Sequence, residues 1–163
     1  MKYRYSIPLF IFAFLFQSTI MNQLKIFGVG PNLILCLVIL LSFLYEENQG
    51  LVLGVIFGII QDLSFGQIIG PSAMAYFVVG FAIKYLRIIF YRDNVLSVFL
   101  TTVVGTGLFT IVNWVINTIF LGTYALMYVA KMMPILMGYH FMFMVLFYLI
   151  RGRRASYSNY NRY

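Results

Sequence analysis

Between Gly50 and Gly70 every fourth residue is glycine except one, which is aspartate: Gly50, Gly54, Gly58, Asp62, Gly66 and Gly70, within GLVLGVIFGIIQDLSFGQIIG. Residues four apart lie one above another on a helix. Gly50, Gly54 and Gly58 therefore predict a shallow groove without Cβ atoms, where another backbone can approach closely. The occupant of that groove can be another helix of this chain, a second copy, or a partner. Asp62 falls near the groove's end. A carboxylate at membrane depth is costly unless paired or hydrated, which makes Asp62 a candidate functional residue. Positions off the ladder, Val52 and Phe57 among them, are expected to face lipid.

Composition supplies the membrane setting. Apolar residues make up 63% of the chain and charged residues 9%, against about a quarter charged in soluble domains. The mean hydropathy is +0.94. About 20 apolar residues cross a bilayer, and six spans are predicted, near 5–21, 28–45, 50–64, 71–89, 95–120 and 132–150. The third is short and the fifth long for a bilayer, so one needs shelter or local thinning and the other must tilt. The apolar stretch 122–130 is expected to lie along the interface. The predicted fold is thus an all-α integral membrane protein with one six-helix transmembrane domain, 1–150. A basic, tyrosine-rich tail, 151–163, lacks helical periodicity and is expected to be disordered.

Orientation follows from the basic residues. With the N-terminus inside, Lys2, Arg4, Lys84, Arg87, Arg92, Arg151, Arg153, Arg154 and Arg162 all fall on the inner side, and only Lys25 and Lys131 outside. That bias predicts both termini in the cytoplasm. The net charge of +7 is then a topology signal together with attraction to anionic lipid. It does not indicate a nucleic-acid surface, which needs a basic face on a folded soluble domain. Residues 1–16 have the charge and apolar core of a signal peptide, but no small-x-small cleavage site follows, so a retained anchor is expected.

Few residues offer chemistry. His140 is the one histidine and Cys36 the one cysteine; neither has ligand-type neighbours at metal-binding spacing, and a lone cysteine makes no intrachain disulfide. His140 is expected to be neutral and bonded to a neighbouring helix. No catalytic residue, metal site or cofactor is predicted. The other polar constellation is a stripe on span five: Thr102, Thr106, Thr110, Asn113 and Asn117, with Trp114 beside it. At spacings of three and four these share one face. The stripe either knits helices together or lines a polar cavity that opens outward with Asp62. Lys84 and Arg87, near the inner end of span four, read as snorkelling anchors.

Pro31-Asn32-Leu33 opening an apolar span, then the glycine and aspartate ladder, then an apolar span ending in basic residues, resembles the rod shape-determining MreD family of bacterial cell-wall elongation. Length, span count and topology agree along nearly the whole chain, while the specific likeness runs from Pro31 to about Arg87. The resemblance implies a non-enzymatic scaffold in the bacterial inner membrane that binds MreC through its membrane helix. It also implies a shared complex with MreB, RodA and a class B penicillin-binding protein. The family's pattern maps onto Gly54, Gly58, Asp62, Gly66 and Gly70. The implied fold is similar to the substrate-binding subunits of energy-coupling-factor vitamin transporters. Such a small-molecule-binding subunit is the alternative function, with Asp62, Thr106, Asn113, Asn117 and Trp114 around its pocket.

Overall fold

The computed structural model describes residues 3–21, 30–45, 47–89, 95–122 and 126–160. Lys2, Lys25, Arg92 and Arg162, which contribute to the predicted orientation, lie outside them. Among the described residues there are six α-helices: α1 (Tyr3–Phe16), α2 (Leu33–Leu44), α3 (Gln49–Phe65), α4 (Pro71–Ile89), α5 (Val95–Leu121) and α6 (Leu126–Tyr160). A π-helical turn, Gln17–Met21, extends α1. The segments Pro71–Ile89, Leu96–Leu121 and Val129–Leu146 are long and apolar enough to cross a membrane.

The centre of the protein is α2. Its sequence, LILCLVILLSFL, is apolar on every side, and every residue from Leu33 to Phe43 is buried. A helix hydrophobic all round is either a core helix or a membrane span, and α2 packs against all five other α-helices. At 12 residues it is only about 18 Å long. Burial on all sides shelters it from lipid. Around α2 the core draws Phe10 from α1, Leu53 and Phe57 from α3, Tyr76 and Val79 from α4, and Met144 from α6.

The glycine ladder is occupied from within the chain. A Cβ on Gly50 would lie 2.9 Å from Val38 O, and one on Gly54 2.6 Å from Val38 Cγ2, so both glycines meet α2. A Cβ on Gly58 would lie 2.6 Å from Ala73 Cα, a backbone atom of α4. Gly66 and Gly70 do not continue this face, because α3 ends at Phe65. The Gly66 amide donates to Asp62 O at 2.8 Å and closes the helix. Gly70 has φ +125°, with open space where a Cβ would point.

Other expectations change as well. Phe57 does not face lipid: it is 7% exposed and its ring lies 5.3 Å from Phe10 and 6.3 Å from Phe14, because α1 covers that flank of α3. Val52, at 38% exposure, does face outward. The interfacial stretch 122–130 is divided. Gly122, with φ +64°, ends α5 as a left-handed cap, while Leu126 onward belongs to α6. The same helix continues to Tyr160, so the backbone of the predicted tail is helical that far.

Candidate functional site

A helix start leaves its first amides without intrahelical acceptors, and water cannot serve them in a hydrocarbon setting. Two helices, α2 and α4, begin at the same end of the bundle, and side chains from their neighbours meet those amides. At α4 the acceptor is Asp62. The Gly70 amide donates to its Oδ2 at 2.9 Å, the Ser72 amide to the same oxygen at 3.0 Å, and the Ala73 amide at 3.5 Å. Pro71, between them, has no amide hydrogen and suits the first helical position. The next amide, Met74, already donates to Gly70 O at 2.9 Å. One carboxylate on α3 thus serves the whole first turn of α4. Its negative charge also faces the positive end of that helix. Asp62 is 5% exposed, and its cost of burial is offset by these bonds.

At α2 three side chains divide the work. Asn32 is the cap, its Oδ1 accepting from the Leu35 amide at 3.0 Å. Gln17 Oε1, from the π-helical turn, accepts from the Leu33 amide at 2.7 Å and the Ile34 amide at 3.3 Å. The Asn32 amide donates to His140 Nε2 at 3.1 Å. A ring nitrogen that accepts carries no proton, so the His140 proton sits on Nδ1, directed at Thr106 Oγ1 2.9 Å away. His140, fully buried, therefore ties α6 to the start of α2 and to α5.

Tyr76 closes the network from α4. Its hydroxyl accepts from Asn32 Nδ2 at 2.7 Å and donates to Gln61 Oε1 at 2.8 Å, while its ring stacks on Phe109 of α5 at 5.1 Å. Side chains from α3, α4, α5, α6 and the π-helical extension of α1 thus converge on the start of α2. Beside this node lies a cleft of about 400 Å3, with Gln17, Ser18, Asn32, Gln61, Ser72 and Asn113 among its lining residues.

The predicted polar stripe is dispersed. Thr106 reaches His140, but Thr102, Thr110, Asn113 and Asn117 bond carbonyls one turn earlier on their own helix, at Val98, Thr106, Phe109 and Asn113. Of the stripe, Asn113 alone is among the cleft's described lining residues. Trp114 is half-buried beside it. Asp62 and Thr106 are turned to helix tethering, and neither they nor Asn117 are among that cleft's described lining residues. The expectation for His140, a bond to a neighbouring helix, matches the geometry. Gln17, Gln61 and Tyr76 carry no motif; an Asn before an apolar run is a cap signal that would have pointed to Asn32.

These features define a class: an all-helical protein with membrane-capable helices, in which Gln17, Asn32, Asp62 and His140 hold the starts of α2 and α4 in place. Residues 2–153 match MreD, rod shape-determining protein MreD, and the chain belongs to that family. Neither the comparison with curated proteins nor that with solved structures returns a match. Membership connects the chain with rod shape determination.

Proposed function

We propose that this protein is a non-enzymatic scaffold subunit of the rod-shape machinery. It sits in the cytoplasmic membrane with both termini inside and holds the membrane helix of MreC. MreB, RodA and a class B penicillin-binding protein complete the assembly. The observation that carries this reading is the family match over residues 2–153. The geometry supports it: Asn32, Asp62, Tyr76, Thr106 and His140, all buried, are joined in bonds between helices, as a rigid docking body requires. Because Gly50, Gly54 and Gly58 already meet α2 and α4, MreC would contact outward faces of the bundle and not the ladder. The test is replacement of the chromosomal copy in rod-shaped cells by a depletable, tagged one. Depletion should round the cells, and the tagged protein should retrieve MreC from detergent extracts. Rods that persist after depletion, with no MreC retrieved, would refute it.

The cleft favours a second reading, a small-molecule-binding subunit, since Gln17, Ser18, Gln61, Ser72 and Asn113 offer uncharged donors and acceptors around about 400 Å3. Under that reading Asn113→Leu abolishes a ligand-induced rise in thermal stability while MreC retrieval stays at the level of the unaltered protein.

A further inference from the structure

At the opposite end of the bundle, where α3 starts and α4 ends, lies a second cleft of about 440 Å3. Asn48 and Leu51 form one wall; Phe77, Phe81, Lys84 and Arg87 are on the other. On α4 the residues 77, 81, 84 and 88 share one face, being three and four apart. The face is apolar on the bundle side and cationic toward the helix end. Phe77 and Phe81 stack at 6.2 Å, and Tyr85 packs on Phe81 at 4.8 Å, giving a continuous aromatic strip.

Lys84 is held in position. Its Nζ donates to Asn48 Oδ1 at 2.6 Å, and Asn48, at the cap position of α3, makes no side-chain capping bond. Asn48 is neutral, so this bond orients the ammonium without neutralising it, and an ammonium has three hydrogens to donate. Among the described residues the nearby carboxylate, Glu47, accepts from Gln49 Nε2 and does not line the cleft. Arg87, one turn further along α4, adds a second charge to the same rim. The helix bearing them, Pro71–Ile89, is long and apolar enough to cross a membrane, which puts its last turns at headgroup depth.

We propose that this cleft binds an anionic phospholipid, with Lys84 and Arg87 holding the phosphate and the Phe77–Phe81 strip receiving the upper part of an acyl chain. A lipid explains both walls at once; free phosphate would satisfy the rim and leave the aromatic wall uncovered. Basic recesses between membrane helices suit such headgroups, each basic group strengthening the attraction roughly fivefold. The proposal needs only that α4 crosses a bilayer, and stands apart from MreC binding.

The test is native mass spectrometry of the full-length protein in detergent, titrated with phosphatidylglycerol or with phosphatidylcholine of the same acyl chains. The expected result is a roughly twenty-five-fold preference for phosphatidylglycerol, about fivefold for each of the two basic groups, that falls to near parity in Lys84→Gln/Arg87→Gln. It should survive in Lys84→Arg, which keeps the charge, and in Lys131→Gln, a cation placed elsewhere. If the double variant unfolds, Arg87→Gln alone should give an intermediate preference. Equal retention of the two lipids by the unaltered protein would overturn the proposal, as would an undiminished preference in the glutamine variants. Loss of bound lipid to millimolar inorganic phosphate would assign the rim to a free anion. Displacement by a soluble polyglutamate peptide would assign it to a protein partner; either outcome also overturns the lipid assignment.

Discussion

Removing the Asp62 carboxylate should loosen the start of α4 in a graded way. Asp62→Ala deprives the Gly70 and Ser72 amides of acceptors at 2.9 and 3.0 Å, and the Ala73 amide of a weaker one at 3.5 Å. Ser72 and Ala73 are buried, so bulk water does not substitute freely. An unmade bond at a buried amide costs about 1–3 kcal/mol, and loss of a helix cap about 0.5–2 kcal/mol. These describe overlapping losses, so about 2–4 kcal/mol is expected for the alanine variant. Asp62→Asn retains one acceptor oxygen but turns an NH2 group toward donors and gives up the charge facing the helix start. Its loss should be roughly half as large. Unfolding with rising mole fraction of sodium dodecyl sulfate in mixed micelles, followed by far-ultraviolet circular dichroism, reads both. Ser64→Ala is the control, because Ser64 is exposed and its hydroxyl donates to Ile60 O of its own helix. If Asp62→Ala unfolds within about 0.5 kcal/mol of the unaltered protein, the range of ordinary surface changes, the carboxylate is not what satisfies α4. An asparagine variant weaker than the alanine variant would refute the same reasoning.

Gly58→Ala places a Cβ 2.6 Å from Ala73 Cα, where backbone must move, and should cost about 1–3 kcal/mol by overpacking. Val52→Leu, on the exposed flank, should be silent in the same unfolding assay, and equal effects would refute the close approach of α3 and α4. His140→Ala removes the acceptor of the Asn32 amide and should cost about 1–3 kcal/mol. Asn113→Ala, whose bond stays within α5, should change stability by about 0.5 kcal/mol or less; the reverse order would refute the node. For topology, cysteines introduced at Asn48 and at Gln67 in a Cys36→Ala background should label with impermeant reagent from opposite sides of the membrane, Gln67 from outside. Labelling of both from one side would overturn the six-span reading.

What could be read from the sequence was what depends on local spacing. Helix positions followed from apolar runs bounded by Gly, Pro and charge, and α4 coincides with its predicted span because Pro71 starts it and the basic end closes it. The glycine ladder pointed to a close approach of backbones, but spacing along one helix says nothing of who fills the groove. Val38 and Ala73 fill it here, and that pairing depends on how α2 and α4 fold back. For the same reason Phe57 was expected in lipid although α1 lies over it. Asp62 was singled out on cost alone. Its acceptance of three amides eight to eleven residues later depends on the turn through Gly70, whose positive φ no periodicity reveals.

The threonine and asparagine stripe shows the limit from the other direction. A shared helix face is necessary for bonds between helices but not sufficient, because Thr and Asn can satisfy themselves on the preceding turn of their own helix. Four of the stripe's hydroxyl and amide groups do so, whereas Thr106 bonds another helix through Nδ1 of His140, whose other ring nitrogen, Nε2, accepts the Asn32 amide. In lipid, apolar surface offers little drive for helices to choose one another. Specific arrangement must then come from close backbone contact and from polar bonds that one geometry alone completes. Here both devices converge on α2: Gly50 and Gly54 of α3 meet it, and Gln17, Asn32, Tyr76, Thr106 and His140 are joined at or beside its start. A disturbance in α1, α4, α5 or α6 is therefore felt at the same few amides, so the bundle should respond to a bound partner as one body.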